Sequence, residues 1–560
     1  MAGTCAYAPL PGADHLRILV LIPDAKFEEP LRCDFEVEHR DATGEYAALS
    51  YSWGMNDDGD ASLCRTAEIS GTVFNITRNF FEALRRIRSA TAATRLWVDA
   101  VCINQGDIGE KNLQVARMAE VYAKAAKTIV WLGEGDSESD DFATLKFLRF
   151  LTHEMKFLPS EGQREEAEER QLLKDYLPSF LWPDIKASEQ YLWTRKDGQV
   201  VNLATLLTWA YERALDEEEV VSHRYDGKVR EDLMEICRLL NSLLGRRYFS
   251  RRWICQEIFH SSWPDLEARW GSCVFPLFLL LRRSVHYVLQ SGIGAMKASQ
   301  VSQNPRDLSL LERTWQGAQR FSMILAVKEM MNDSRPLMKA LFFLPNQQCS
   351  DPRDMLFALT SIDPGFGLQP NYGLNTAEAY TLFANKLVEK GLLYLILHNL
   401  EASVADLASI SPALPVDRSN DLPSWVPDLR LVFRDEHATY PQVDAAVERH
   451  NVLICPVREI GVLRHASNAT HKTPGESRQM AVVRSGAAGS GVTEERGWHV
   501  PLAAGDMVCE VCELEKAGPP PFTLLLRPHA QMEHHYTLMS VGGSVARLDP
   551  AKHAISVRIV

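Results

Sequence analysis

Apolar runs of strand length alternate with segments of helical period along the first quarter of the chain. Residues 16–21 and 33–38 are short strand candidates, expected to pair at a sheet edge or to lead into the domain. Residues 46–51 (YAALSY) form an apolar run followed at once by Ser52-Trp53-Gly54. Residues 68–75 read as a hairpin turning on Ser70-Gly71. Thr77 can cap a helix whose inner face is Phe80, Phe81, Leu84 and Ile87. Residues 96–103 are apolar on both faces apart from Asp99, as in a strand covered on both sides of a sheet. Asn104-Gln105-Gly106-Asp107 is turn chemistry. Asp107 can accept hydrogen bonds from the first helical turn, and Glu110 completes a capping-box-like pair. The helix that follows buries Val115, Met118, Ala119, Tyr122 and Ala126, and residues 128–132 form the next strand, stopped by Gly133. Two buried strands joined by one helix make a right-handed βαβ unit and predict an α/β fold on a parallel sheet.

Three of these strands end in Ser-Trp-Gly, Asn-Gln-Gly-Asp and Gly-Glu-Gly-Asp. In open α/β sheets ligands bind outside the carboxyl ends of the strands. Trp53, Gly54, Asn104, Asp107 and Glu134 therefore surround one candidate crevice. The plainer alternative is that Asp107 only caps its helix and Trp53 only packs.

Beyond Gly133 the texture changes. Residues 135–141 are acidic and polar, 163–174 form a charged helix candidate, and 216–219 are an acidic run. A largely helical insertion over about 135–226, with solvated charged faces, is predicted. Residues 229–244 are a clearer amphipathic helix, ending at Gly245. Then comes RRYFSRRWICQEI (246–258), where Ser250 can cap a helix that sets Trp253 and Glu257 on one face. Two readings stand: a Glu–Arg salt bridge, or a catalytic acid in an aromatic-walled pocket with Arg251 and Arg252 holding a phosphorylated ligand. Residues 275–415 look mostly helical, with long patterns at 308–331 and 376–398. From 438 onward the pattern is β-like, with strands expected at 452–457, 480–483, 507–514 and 523–527. The domains expected are 1–274 with its insertion, a helical 275–437, and a small β-rich 438–560.

Composition narrows the class. The 560 residues suit two to four domains at roughly 100–200 residues each. Sixty basic against 73 acidic residues leave a net charge of −13, which argues against general nucleic-acid binding. Residues 1–11 lack the basic start and apolar core of a leader, and the most apolar run, 273–281, is too short to span a bilayer. The cysteines lie scattered in apolar contexts (Cys102, Cys237, Cys255), which suggests reduced, buried thiols and a cytoplasmic setting. Cys509 and Cys512 form one CxxC with His529, His534 and His535 nearby. Two strand cysteines are the simpler reading, a zinc site the other, and no metal or resident cofactor is assigned.

YAALSYSWG (46–54), LWVDAVCINQGD…QVARMAEVYAKA…IVWLG (96–133) and FSRRWICQEI (249–258) resemble, in order, the motifs of the fungal heterokaryon-incompatibility (HET) domain. DPRDMLFAL (351–359) and LPSWVPDL (422–429) are similar to segments that commonly follow it. The resemblance implies non-self recognition and programmed cell death, with self-association or another incompatibility-locus protein as partner. It also implies a distant likeness to the Toll/interleukin-receptor (TIR) domain, whose sheet is flavodoxin-like. In TIR enzymes that cleave NAD+, the glutamate of the last motif is catalytic; the matching position here is Glu257. On that likeness NAD+ is the substrate, Trp253 walls a ring, and Arg251 or Arg252 meets the pyrophosphate. A non-enzymatic assembly and signalling module is the alternative.

Overall fold

The computed structural model describes residues 7–41, 44–55, 59–135, 192–194, 200–202, 227–262, 265–277, 305–329, 336–344, 347–392, 395–396, 422, 425–427 and 429, and nine strands between 446 and 559. They fall into two compact units: residues 1–334 with 347–349, and residues 335–346 with 350–560.

The first unit is built on one nine-stranded mixed sheet. Its strands are β1 (His15–Leu21), β2 (Arg32–His39), β3 (Ala47–Tyr51), β4 (Arg65–Ile69), β5 (Thr72–Ile76), β6 (Thr94–Trp97) and β7 (Lys127–Trp131). After a separate hairpin, β8 (Leu192–Thr194) and β9 (Val200–Asn202), come β10 (Leu266–Trp270) and β11 (Cys273–Pro276). The helices are α1 (Arg78–Ile87), α2 (Asp99–Cys102), α3 (Ile108–Ala116), α4 (Met118–Lys124), α5 (Gly227–Leu244), α6 (Ile254–His260) and α7 (Pro305–Glu329). The sheet order is β11-β10-β7-β3-β6-β1-β2-β4-β5. Its centre, β6-β3-β7-β10, is parallel throughout. Counted along the chain these four strands lie in the order 2-1-3-4, so the winding reverses beside β3. Every residue of β3 is buried, as expected of a strand covered on both faces.

Several expectations are met closely. The hairpin turns on Ser70 (φ 48°) and Gly71 (φ 74°), the positive-φ pair that a two-residue β-turn of the primed type requires. Thr77 accepts the Phe80 N–H and caps α1. Cys102, Cys237 and Cys255 are buried and unpaired, and burial pushes each thiol up to about 12.

Others are corrected. The run 96–103 is not one strand. Pairing of β6 with β3 ends at Trp97, and Val98 C=O then accepts the Cys102 N–H at 2.8 Å, winding residues 99–102 into a helical turn. β1 and β2 do pair with each other, but not at the sheet edge: β1 lies inside the sheet, antiparallel to both β2 and β6. The helix after Asp107 breaks at Arg117, whose guanidinium turns back to Glu120 and to the Ala13 carbonyl. β10 carries no continuous apolar run, since Glu267 and Arg269 alternate with its apolar residues; Lys127 and Arg269 hold Glu267 at 2.7 Å each.

In the second unit, α8 (Pro336–Phe343), α9 (Asp354–Phe357) and α10 (Thr376–Glu389) pack around buried Leu356, Phe357, Tyr380 and Phe383. Arg353 binds Asp351 and the carbonyls of Tyr372 and Leu374, and Asn375 with Glu378 forms a full capping box on α10. The strands are β12 (Ala446–Glu448), β13 (Val452–Val462), β14 (Ala469–Thr473), β15 (Glu476–Val483), β16 (Glu494–Trp498), β17 (Met507–Val511), β18 (Phe522–Pro528), β19 (His535–Gly543) and β20 (Ile555–Ile559). β13-β17-β18-β19-β20 close on themselves through β13–β20. Of the CxxC pair only Cys509, in β17, is among the described residues, and the predicted insertion lies almost wholly outside them.

Candidate functional site

α6 carries polar and apolar residues alike, yet Ile254 to Phe259 are all buried, because the helix is packed against α4 and capped by the sheet. Its C-terminal end is fixed by a short relay. Ser261 Oγ donates to the Glu257 carbonyl at 2.6 Å and lies 2.7 Å from Thr128 Oγ1 of β7. Ahead of the helix, Arg252 N–H donates to the Gln348 carbonyl at 2.8 Å, so residues 347–349 strap the segment down.

That placement brings Glu257, 2% exposed, to the carboxyl half of β3. Ser50 donates its hydroxyl to Glu257 Oε2, and the same hydroxyl lies 2.8 Å from the Tyr248 phenol. Arg251 completes the group with a fork, Nη1 to Oε2 at 3.3 Å and Nη2 to Oε1 at 3.2 Å. On the other side stands Asp99, at the turn where β6 ends. Its Oδ1 accepts the Ala100 N–H at 2.8 Å and its Oδ2 accepts the Trp53 indole N–H at 3.3 Å. Trp53 remains 40% exposed over this edge. The loop carrying it is held by Asn79, which donates to the Ser52 carbonyl and accepts from the buried Trp131 indole. Gly54 is dictated by contact: a Cβ there would lie 2.5 Å from the Gly59 carbonyl oxygen.

The electrostatics follow from burial and from two acids sharing one base. Burial, then the neighbouring Glu257, push Asp99 up to about 6, against the pull of Arg251. Burial works against the Arg251 charge, but Glu257 and Asp99 outweigh it and hold the guanidinium above its ordinary value. Burial raises the phenols of Tyr51, Tyr122 and Tyr248 well above the usual range, so all three stay neutral donors.

Of the residues singled out from sequence, Trp53, Arg251 and Glu257 converge on this cluster, with Gly54 in the adjoining turn. Asn104 and Asp107 are occupied locally: Asn104 Oδ1 accepts the Gly106 N–H, and Asp107 accepts the Glu110 N–H and caps α3. Glu110 does not close the reciprocal box; it takes the Asn104 N–H and pairs with buried Arg17. Glu134 is held by Arg86 through two bonds of 2.7 and 2.6 Å. Arg252 is fully buried, and Trp253 precedes α6, its carbonyl accepting the Glu257 N–H. Ser50, Asp99 and Tyr248 were not among the predicted site residues. Asp99 carried a readable signal, as the lone carboxylate in an apolar run. Among the described residues no group of three His, Cys, Asp or Glu could hold a metal ion, and no helix is long and apolar enough to cross a membrane.

Residues 46–257 match the model of a family described as heterokaryon incompatibility protein (HET). A curated relative, heterokaryon incompatibility protein 6, OR allele, of Neurospora crassa, is 33% identical over 141 residues. The match takes in 22% of this chain and only 20% of that protein, so the chain spans about a fifth of the relative's length. No solved structure matches.

Proposed function

We propose that this chain, which carries a HET domain over residues 46–257, acts in fungal heterokaryon incompatibility as a cell-death effector, and that the domain is a TIR-like NAD+ glycohydrolase with Glu257 as its catalytic carboxylate. The observation that carries the reading is Glu257 itself. It is a buried acid at the carboxyl end of the central parallel strand, across from Asp99 and the exposed Trp53. Two further features support it. The parallel strand order 2-1-3-4 is flavodoxin-like, and the cluster lies where the winding reverses, the usual ligand position in such sheets.

The chemistry asked of the site is modest. The bond between ribose C1′ and the nicotinamide nitrogen breaks, and its electron pair leaves with nicotinamide, which becomes neutral. The ribose carbon is left oxocarbenium-like, and a carboxylate beside it stabilises that charge. A water oxygen then adds to C1′ and its proton passes to solvent. No general acid is needed, since the departing group is already a good one. Arg251 meets the substrate's pyrophosphate when it leaves Glu257, with Arg252 and Trp253 behind it. Self-association, or another incompatibility-locus protein, brings the domain to its active form.

One observation favours a second reading. Both oxygens of Glu257 are already engaged, by Ser50 and Arg251, as in an ion pair that only fixes α6 to β3. A non-enzymatic assembly module would need no more. Nicotinamide release from NAD+ by the full chain at high protein concentration separates the two. Release by the wild type, lost in Glu257→Ala and Glu257→Gln proteins of unchanged fold, is expected. Equal release by all three removes Glu257 from the mechanism, and no release by the wild type leaves the assembly module.

A further inference from the structure

We infer that Asp99 is the ligand-facing carboxylate of this site and that, with Trp53, it selects a cationic group, the pyridinium class being the chemistry that fits. The inference rests on the proposed site and assigns the work within it. Two carboxylates share the single guanidinium of Arg251, and they differ in access. Glu257 is 2% exposed and bonded through both oxygens, while Asp99 is half-buried and bonded to an indole 40% exposed. An incoming ligand therefore meets Asp99 and Trp53 before it can meet Glu257. Glu257 and Asp99 set two carboxylates against the one guanidinium of Arg251, while Arg247 lies at the adjoining Gly54–Gly59 turn. An indole held by a carboxylate through its own N–H offers a flat face beside an anion, which suits a planar cation. A neutral or anionic ring gains only the indole contact.

The groups around Asp99 agree. Facing it are Glu257 from α6, Arg251 ahead of that helix, Tyr51 from β3 and Tyr122 from α4. Both phenols stay neutral, so Glu257 and Arg251 are the charges that count. Asp99 is pushed up to about 6. A bound cation favours its ionised form, so protonation and cation binding compete. Affinity for a cation then falls as pH drops through about 6, while affinity for a neutral ring does not.

The test is calorimetric titration of the full-length protein with nicotinamide riboside, a pyridinium cation, and with neutral nicotinamide, between pH 5 and 8. The expected result is riboside binding about tenfold weaker at pH 5 than at pH 7, as a group titrating near 6 dictates. Asp99→Asn, which removes the charge and keeps one of the two acceptor oxygens, is expected to bind riboside at least about tenfold more weakly at pH 7.5, with a flat profile. Nicotinamide should bind both proteins alike. Three results overturn the inference: no riboside binding by the wild type, a flat wild-type profile, or Asp99→Asn binding as tightly as the wild type. Riboside binding as expected without NAD+ cleavage sinks the hydrolase and leaves the cation subsite. NAD+ cleavage with a flat riboside profile does the reverse.

Discussion

Among the described residues Arg251 is the cation paired with the Glu257 carboxylate, and replacing it tests the architecture directly. Its side chain is 15% exposed and that of Glu257 2%, so the pair is largely shielded from water. Removing one partner of a buried pair leaves an uncompensated charge and costs about 3–5 kcal/mol. Ser50 still donates to Glu257, which favours the lower end, about 3 kcal/mol. Arg251→Met should thus lower the melting temperature of the first unit by roughly 6–12 °C at about 2–4 °C per kcal/mol. Glu257→Gln alone keeps the shape and leaves Asp99 facing the arginine, so about 1–2 kcal/mol is expected. The double variant has neither charge, and should recover part of the loss, with a coupling of about 1.5–3 kcal/mol. Thermal melts of the four proteins at pH 7.5 close the cycle. Costs that add within about 0.5 kcal/mol, or an Arg251→Met loss below about 1 kcal/mol, would refute the buried pair.

Two further outcomes follow from the same geometry. Asp99 titrates higher folded than unfolded, so the folded state holds its proton longer, and this group's contribution to stability falls as pH rises from about 4 to about 6. Asp99→Asn gives up one acceptor at every pH, but should gain about 1–2 kcal/mol on the wild type between pH 4 and pH 7, the ceiling of about 3 kcal/mol being lowered by partial solvent access. A stability difference between Asp99→Asn and wild type that stays flat or runs the other way between pH 4 and pH 7 would contradict the sign. Asp107→Ala removes the cap of α3, so a loss of about 1 kcal/mol is expected with nicotinamide release unchanged. Unchanged stability with lost release would put Asp107 in the crevice instead.

How much of this was legible in the chain depended on whether the physics was local. Caps and turns were: Thr77 and Asp107 satisfy amides three residues away, and the Ser70-Gly71 turn needs only its own backbone. Strand order was partly legible, because uninterrupted apolar runs such as β3 and β7 announce burial on both faces, while β10 hid behind Glu267 and Arg269. The site was legible only at residues whose own neighbourhood looked costly. Glu257 stood out beside Trp253 and four arginines. Ser50 could not, since a serine in YAALSY reads as a small strand residue, and its partner lies 207 positions on. Asp99 lies between these cases. An ionisable side chain inside an apolar run costs desolvation unless something offsets it, and local sequence offers only the Ala100 amide. What holds it, Arg251 and the Trp53 indole, comes from two other elements, and the offset is incomplete: the group is left titrating near 6. Asp99 is therefore the residue whose replacement most cleanly separates a ligand-binding site from a structural ion pair.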